Sequence, residues 1–265
     1  MKRLLLLSTT TGYQAQQFRA AAERMGVPLV LASDSCHAMD DPWGDGAISV
    51  RFQKPRESAG KIREYVQHQP IHGVAAIGDA PTATAALIAR DLGLRFHSPE
   101  AVELCRNKFL ARGRYQQAGM RVPWYARFKV ASHPAPAARA VPYPCVLKPL
   151  GLSASRGVIR ADNENEFVAA FKRIAALLQK KDVKIMRDES AGWIQVESFI
   201  PGREVAVEGL VTCGRLRVLA IFDKPDPLDG PFFEETVYVT PSRLSDAVQS
   251  AIACCTASLR REGVT

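Results

Sequence analysis

The sequence contains no run approaching the ~20 consecutive apolar residues that a membrane-spanning helix needs; Arg, Lys, Asp or Pro breaks every apolar stretch within a few positions. A soluble protein without a membrane partner is expected. Met1-Lys2-Arg3 followed by Leu4 to Leu7 imitates the start of a secretion signal, but Ser8-Thr9-Thr10-Thr11-Gly12 ends the apolar run too early, and the leucines read as a buried strand. The six cysteines (Cys36, Cys105, Cys145, Cys213, Cys254, Cys255) include no C-x-x-C pair and have no histidine at metal-ligand spacing, so a zinc site is disfavoured and reduced thiols in the cytoplasm are expected. Cys145 and Cys254-Cys255 stand in apolar contexts and read as core residues. No block of five like charges occurs, so the net charge of +8 is a diffuse surface excess and a nucleic-acid partner is set aside. None of His37, His68, His72, His97 and His133 pairs with a spaced Ser, Cys or Asp set, which excludes a hydrolase triad.

What is present is a regular alternation. Strands at 4–7, 28–32, 47–50 and 74–77 alternate with helices at 14–25, 61–67 and after Pro81, with Gly26 and Gly93 just past two helix ends. Short connections between strand and helix imply a parallel sheet covered by helices, a Rossmann-like or flavodoxin-like unit. Its first turn lacks G-x-G-x-x-G, which disfavours a dinucleotide dehydrogenase. Ser98-Pro99-Glu100 supplies an N-cap, an N1 proline and an early acid, opening a linker helix that is expected to run to about Ala118. Beyond it, strand-rich segments at 124–130, 145–148, 158–160 and 193–200 surround a helix at 165–178, and 205–211 with 216–222 form a hairpin across Thr212-Cys213-Gly214-Arg215. A final helix is expected at 246–261.

Four features then stand in order: Asn107-Lys108; Tyr143-Pro-Cys-Val-Leu-Lys148-Pro149; the loop Gly151-Leu-Ser-Ala-Ser-Arg-Gly157-Val158; and Val196-Glu197-Ser-Phe-Ile200-Pro-Gly202-Arg-Glu204. Each is ordinary alone. A lysine on a linker helix, a second lysine ending a strand about forty residues later, a Gly/Ser loop directly after it and a two-glutamate segment about fifty residues further on together resemble the ATP-grasp superfamily. The likeness is nearest to the branch of biotin carboxylase, carbamoyl phosphate synthetase and the L-amino-acid ligases, with D-alanine:D-alanine ligase more distant.

The resemblance implies an α/β protein with a Rossmann-like pre-ATP-grasp domain (1–97), a linker helix (98–122), a lid subdomain (123–196) and a partial C-terminal subdomain (197–265). It also implies which residues bind ATP. Lys108 and Lys148 would contact α/β-phosphate oxygens, since a polyphosphate needs cations converging from two sides. Ser153, Ser155 and Gly157 belong to a loop that would close over the phosphates, its glycine permitting close approach. The segment from Glu197 to Ile200 would read adenine through backbone groups, and Glu204, seven residues after Glu197, would accept hydrogen bonds from the ribose hydroxyls. Lys224 would reach the terminal phosphate, and Glu234 or Glu235 would line the acceptor side. The implied activity is a Mg²⁺-dependent ligation of small-molecule carboxylate and amine substrates through an acylphosphate. The metal ligands are expected beyond Thr265, so a truncated and incomplete ligase is expected, with a non-catalytic ATP-sensing or scaffold module as the alternative. A homodimer fits the resemblance, in which dimers are common.

Overall fold

The computed structural model describes residues 2–9, 14–34, 46–180, 183, 189–233 and 237–258. The chain forms two compact units, Met1–Glu103 and Leu104–Thr265.

In the first unit β1 (Leu4–Ser8), β2 (Leu29–Ser33), β3 (Ala47–Ser49) and β4 (Gly73–Ile77) make a wholly parallel sheet in the order β3-β2-β1-β4. Helices α1 (Ala15–Arg24) and α2 (Pro55–His68) make the crossovers from β1 to β2 and from β3 to β4, and α3 (Asp79–Asp91) follows β4. The central strand explains the opening leucines: Leu5, Leu6 and Leu7 are all fully buried, because a parallel strand covered on both faces has no polar side to show. Leu5 and Leu7 share a core with Val30, Ile48, Ile62 and Ile88. The element expected at 61–67 begins earlier, at Pro55, whose fixed φ suits a first helical position.

The linker helix expected from Ser98 to Ala118 is two helices, α4 (Pro99–Arg106) and α5 (Lys108–Gln117). The break is at Asn107, which leaves helical geometry (φ −105°, ψ 106°) and accepts hydrogen bonds from the Phe109 and Leu110 N–H groups through its side chain. Asn107 is an N-cap inside an otherwise helical pattern, and a short polar side chain that can bond nearby backbone wins such a position. Ser98 caps α4 as expected, accepting from the Ala101 N–H.

The second unit holds an antiparallel sheet in the order β5-β8-β6-β7, from β5 (Tyr125–Lys129), β6 (Cys145–Pro149), β7 (Ile159–Ala161) and β8 (Trp193–Ser198). Helices α6 (Pro134–Ala140) and α7 (Glu164–Leu178) cover one face. Here Cys145, Leu147, Ile194 and Val196 from the strands meet Phe167, Phe171 and Ile174 from α7, all buried. Asn163 caps α7 by accepting from the Glu166 N–H, while Glu166 accepts from the Asp162 N–H, so two otherwise orphaned donors are satisfied. Strand period two sends the alternate residues to the opposite face: Tyr125, Arg127 and Lys129 of β5, Trp193, Gln195 and Glu197 of β8, and Lys148 of β6. That second face is polar, and α5 lies against it at β5.

The hairpin β9 (Val205–Thr212) and β10 (Arg215–Asp223) forms a separate two-stranded sheet, followed by α8 (Asp246–Ser258). Cys145 is buried in the core, but Cys254 and Cys255 are exposed on α8, which corrects the expectation from their apolar context. Local apolarity does not say which side of a helix finds a partner. No helix among the described residues is long and apolar enough to cross a membrane.

Candidate functional site

The polar face of the second unit's sheet converges on one carboxylate. Glu197, one residue from the end of β8, is almost fully buried, its side chain 5% exposed. Arg112 donates to it twice, Nε to Oε1 at 2.9 Å and Nη2 to Oε2 at 3.1 Å. Lys148 Nζ donates to Oε2 at 2.7 Å, and the buried Gln195 donates through Nε2 to Oε1. The strand register explains the meeting: Lys148 stands opposite Gln195 across the β6–β8 pair, and Gln195 and Glu197 are two apart on one strand face. Burial alone would raise the pKa of Glu197, but the hydrogen bonds and charges of Arg112 and Lys148 outweigh it and hold the carboxyl down at about 2. Glu197 is therefore a carboxylate throughout the neutral range, with the basic side chains of Arg112 and Lys148 around it.

Lys108, the first residue of α5, bonds the carbonyls of Leu150 (3.1 Å) and Leu152 (2.5 Å). It thereby ties the helix to the start of the Gly151–Gly157 loop. The loop itself is tight: Ala154 and Ser155 have φ of 53° and 54°, and the Arg156 N–H donates to the Ser153 carbonyl. Two adjacent residues at positive φ are the signature of a primed turn, a costly choice for side chains other than glycine. Ser153 is exposed and Ser155 half-buried. Gly157 has φ +79°, and a Cβ there would meet Leu177 Cδ2 at 2.8 Å and Pro149 Cγ at 3.0 Å, so only glycine fits.

Past β8 the chain leaves the sheet. The Phe199 N–H donates to the Pro144 carbonyl, whereas the N–H of Ile200 has no hydrogen-bond partner among the described residues, and its side chain is exposed. Glu204 pairs with Lys224 at 2.5 Å; the Lys224 side chain is only 9% exposed and its Nζ lies 5.3 Å from the Tyr238 ring centroid. The structure thus brings Lys148 and Glu197 into one cluster, fixes Lys108 to the adjoining loop, and joins Glu204 to Lys224 in a second pair. Glu234 and Glu235 lie outside the described residues.

Sequence reasoning missed Arg112 and Gln195. The signal was available as spacing, since Arg112 is four residues after Lys108 on one helix and Gln195 two before Glu197 on one strand. The Cys145 thiol is pushed up to about 12 by burial, in keeping with a core residue rather than a nucleophile.

Comparison with known proteins shows what the chain is similar to. Residues 141–263 match the family of the ATP-grasp domain. The ATP-grasp enzyme fsqD of Aspergillus fumigatus is 27% identical over 169 residues, covering 59% of this chain and 28% of that protein. Alanine–anticapsin ligase of Bacillus subtilis is 25% identical over 215 residues, covering 75% of this chain and 44% of the ligase. Among solved structures, an L-amino acid ligase from Bacillus licheniformis superimposes with a TM-score of 0.79 at 24% identity, covering 99% of this chain and 60% of that one. The chain spans less than half the length of these two curated relatives. The α/β architecture and the matched domain are together consistent with the ATP-grasp superfamily, to whose solved members the chain is similar in fold.

Proposed function

We propose that the chain binds ATP and forms the nucleotide-handling part of a ligase that activates a small-molecule carboxylate as an acylphosphate, from which an amine displaces phosphate. The observation that carries this reading is the buried cluster of Glu197 with Arg112 and Lys148 beside a loop held by Lys108. Two cations against one carboxylate leave a positive surplus, and the phosphates of a nucleotide complement it. In this reading Lys108 and Lys148 meet α/β-phosphate oxygens, and the loop carrying Ser153, Ser155 and Gly157 closes over them. Glu197 acts through the cations it holds, fixing the ends of Lys148 and Arg112. The Ile200 N–H donates to the adenine ring, Glu204 accepts from the ribose, and Lys224 exchanges its carboxylate partner for the terminal phosphate. The names of the relatives, ligases of alanine and of L-amino acids, support an amine acceptor and a carboxylate donor. A cytoplasmic location, where ATP is abundant, and a homodimer complete the proposal.

Mg²⁺ accompanies ATP in the family. Among the described residues no group of three or more His, Cys, Asp or Glu side chains comes together to hold a metal, so no residue is assigned to it and no step is routed through it.

Calorimetric titration with MgATP tests the reading. The wild-type chain should bind, and Lys148→Ala and Glu204→Ala should each weaken binding by about tenfold or more, the worth of a hydrogen bond to a charged group. Unchanged affinity in both variants would remove the nucleotide assignment.

A further inference from the structure

Helix α5 carries two of the basic residues of the nucleotide cluster, Lys108 at its first position and Arg112 one turn later, yet none of its residues is buried. It is therefore not seated by a hydrophobic core in the way that α7 is through Phe167, Phe171 and Ile174. The α5 side chains that meet the sheet's polar face are Phe109, Arg112 and Gln116, spaced three and four apart and so on one side of the helix. Arg112 holds Glu197. Phe109 meets the Tyr125 ring edge-on at 5.4 Å between centroids, and Tyr125 Oη donates to Gln116 Oε1 at 3.0 Å.

Arg127 of β5 completes this seat. Its Cζ lies 4.5 Å from the Phe109 ring centroid and 4.5 Å from that of Trp193, so one guanidinium touches a ring of the helix and a ring of β8. The register accounts for the meeting. Arg127 is paired with Gln195 and Lys129 with Trp193, so Arg127 and Trp193 point to the same side of the sheet, the side on which α5 lies. Arg127 makes no hydrogen bond or ion pair among the described residues, so ring contacts hold it. A guanidinium has two flat faces for stacking, which an ammonium lacks. Phe109 directly follows Lys108, so whatever fixes the Phe109 ring also fixes the base of the Lys108 side chain. When Lys108 exchanges the loop carbonyls for phosphate oxygens, the Phe109 contacts remain to hold that end of α5. We propose that Arg127 is a positioning residue of the nucleotide site: stacked on Phe109 and Trp193, it sets where α5 sits on the sheet and hence where Lys108 and Arg112 stand. It does so without touching the nucleotide, and the proposal rests on the reading of this site as one for ATP.

The test uses the full chain. Arg127 is exposed, so its replacement leaves the core intact. Without nucleotide, the Arg112 Nε–H, which donates to Glu197, should give a protected signal in proton–nitrogen NMR, assigned by its loss in Arg112→Lys. Arg127→Ala should make that proton exchange faster and should weaken MgATP binding in calorimetry by about three- to tenfold, the worth of two partly exposed cation–π contacts. Arg127→Lys, which keeps the charge without the flat faces, should not restore affinity. Trp193→Ala should weaken binding less than Arg127→Ala and should add nothing in the Arg127→Ala background, because both act through the same stack. An unchanged Arg112 signal or unchanged affinity in Arg127→Ala, full affinity in Arg127→Lys, or additive effects of Arg127→Ala and Trp193→Ala would each overturn the proposal. If the wild-type chain does not bind MgATP, the nucleotide reading falls, and the Arg112 signal, which needs no nucleotide, still decides whether Arg127 places α5.

Discussion

Replacing Glu197 by glutamine tests the reasoning about the cluster most directly. The carboxylate accepts from Arg112, Lys148 and Gln195, and the amide would lose the charge and turn a donor toward one of those donors. Removing one partner of a buried ion pair costs about 3–5 kcal/mol when the others stay buried. Here Arg112 and Lys148 keep side-chain exposures of 27% and 19%, so water recovers part of their solvation and the low end applies, about 3 kcal/mol. The ionisation gives an independent figure. A carboxyl at about 2 in the folded chain, against an unfolded value of about 4.3, contributes on the order of 3 kcal/mol. Because the folded pKa is the lower one, this stability is fully present above about pH 4.5 and is lost as pH falls toward 2. Urea unfolding followed by tryptophan emission, with Trp193 inside the same unit, reads both effects. With a slope of about 2 kcal/mol/M, Glu197→Gln should unfold about 1.5 M earlier at pH 7. The gap should close as the pH is lowered from 4.5 to 2. Equal midpoints at pH 7, or a gap that stays constant down to pH 2, would refute the account.

Other positions give sharper local tests. Gly157→Ala should destabilise the second unit by about 1–3 kcal/mol in the same urea assay, since φ is +79° and the new Cβ would press on Leu177 and Pro149. Asn107→Ala removes the cap of α5 and should cost about 1 kcal/mol, with weaker amide protection at Phe109 and Leu110 in hydrogen exchange. Phe167→Ala opens a cavity in a fully buried core and should cost about 3–5 kcal/mol in urea, while Cys254→Ala on exposed α8 should change stability by less than about 0.5 kcal/mol.

Much of the fold was legible because periodicity is local. Four leucines in a row, helix-spaced apolar residues and the Pro and Gly punctuation at helix ends each describe a few neighbouring residues, and the parallel sheet of the first unit follows from their alternation. The break at Asn107 was harder to see, because an asparagine is tolerated within a helical pattern and only its bonds to Phe109 and Leu110 show that it caps one. The exposed Cys254 and Cys255 illustrate the same limit from the other side: their neighbours are apolar, yet burial depends on whether another element lies over that face.

For the site, the sequence by itself determined the chemical inventory and its order: two lysines, a Gly/Ser loop and two glutamates at spacings that resemble one superfamily. Tertiary structure decided which of them meet. Register across β6 and β8 put Lys148 beside Glu197, the i, i+4 face of α5 added Arg112, and Glu204 turned to Lys224 instead. Nothing in the linear spacing distinguishes a glutamate buried among cations from one that is half-exposed. That difference comes from strand pairing and helix placement, because a charge is neutralised by what lies within a few ångströms of it in space, and residues 36, 49 and 85 positions apart along the chain reach that distance only when the sheet and α5 have assembled.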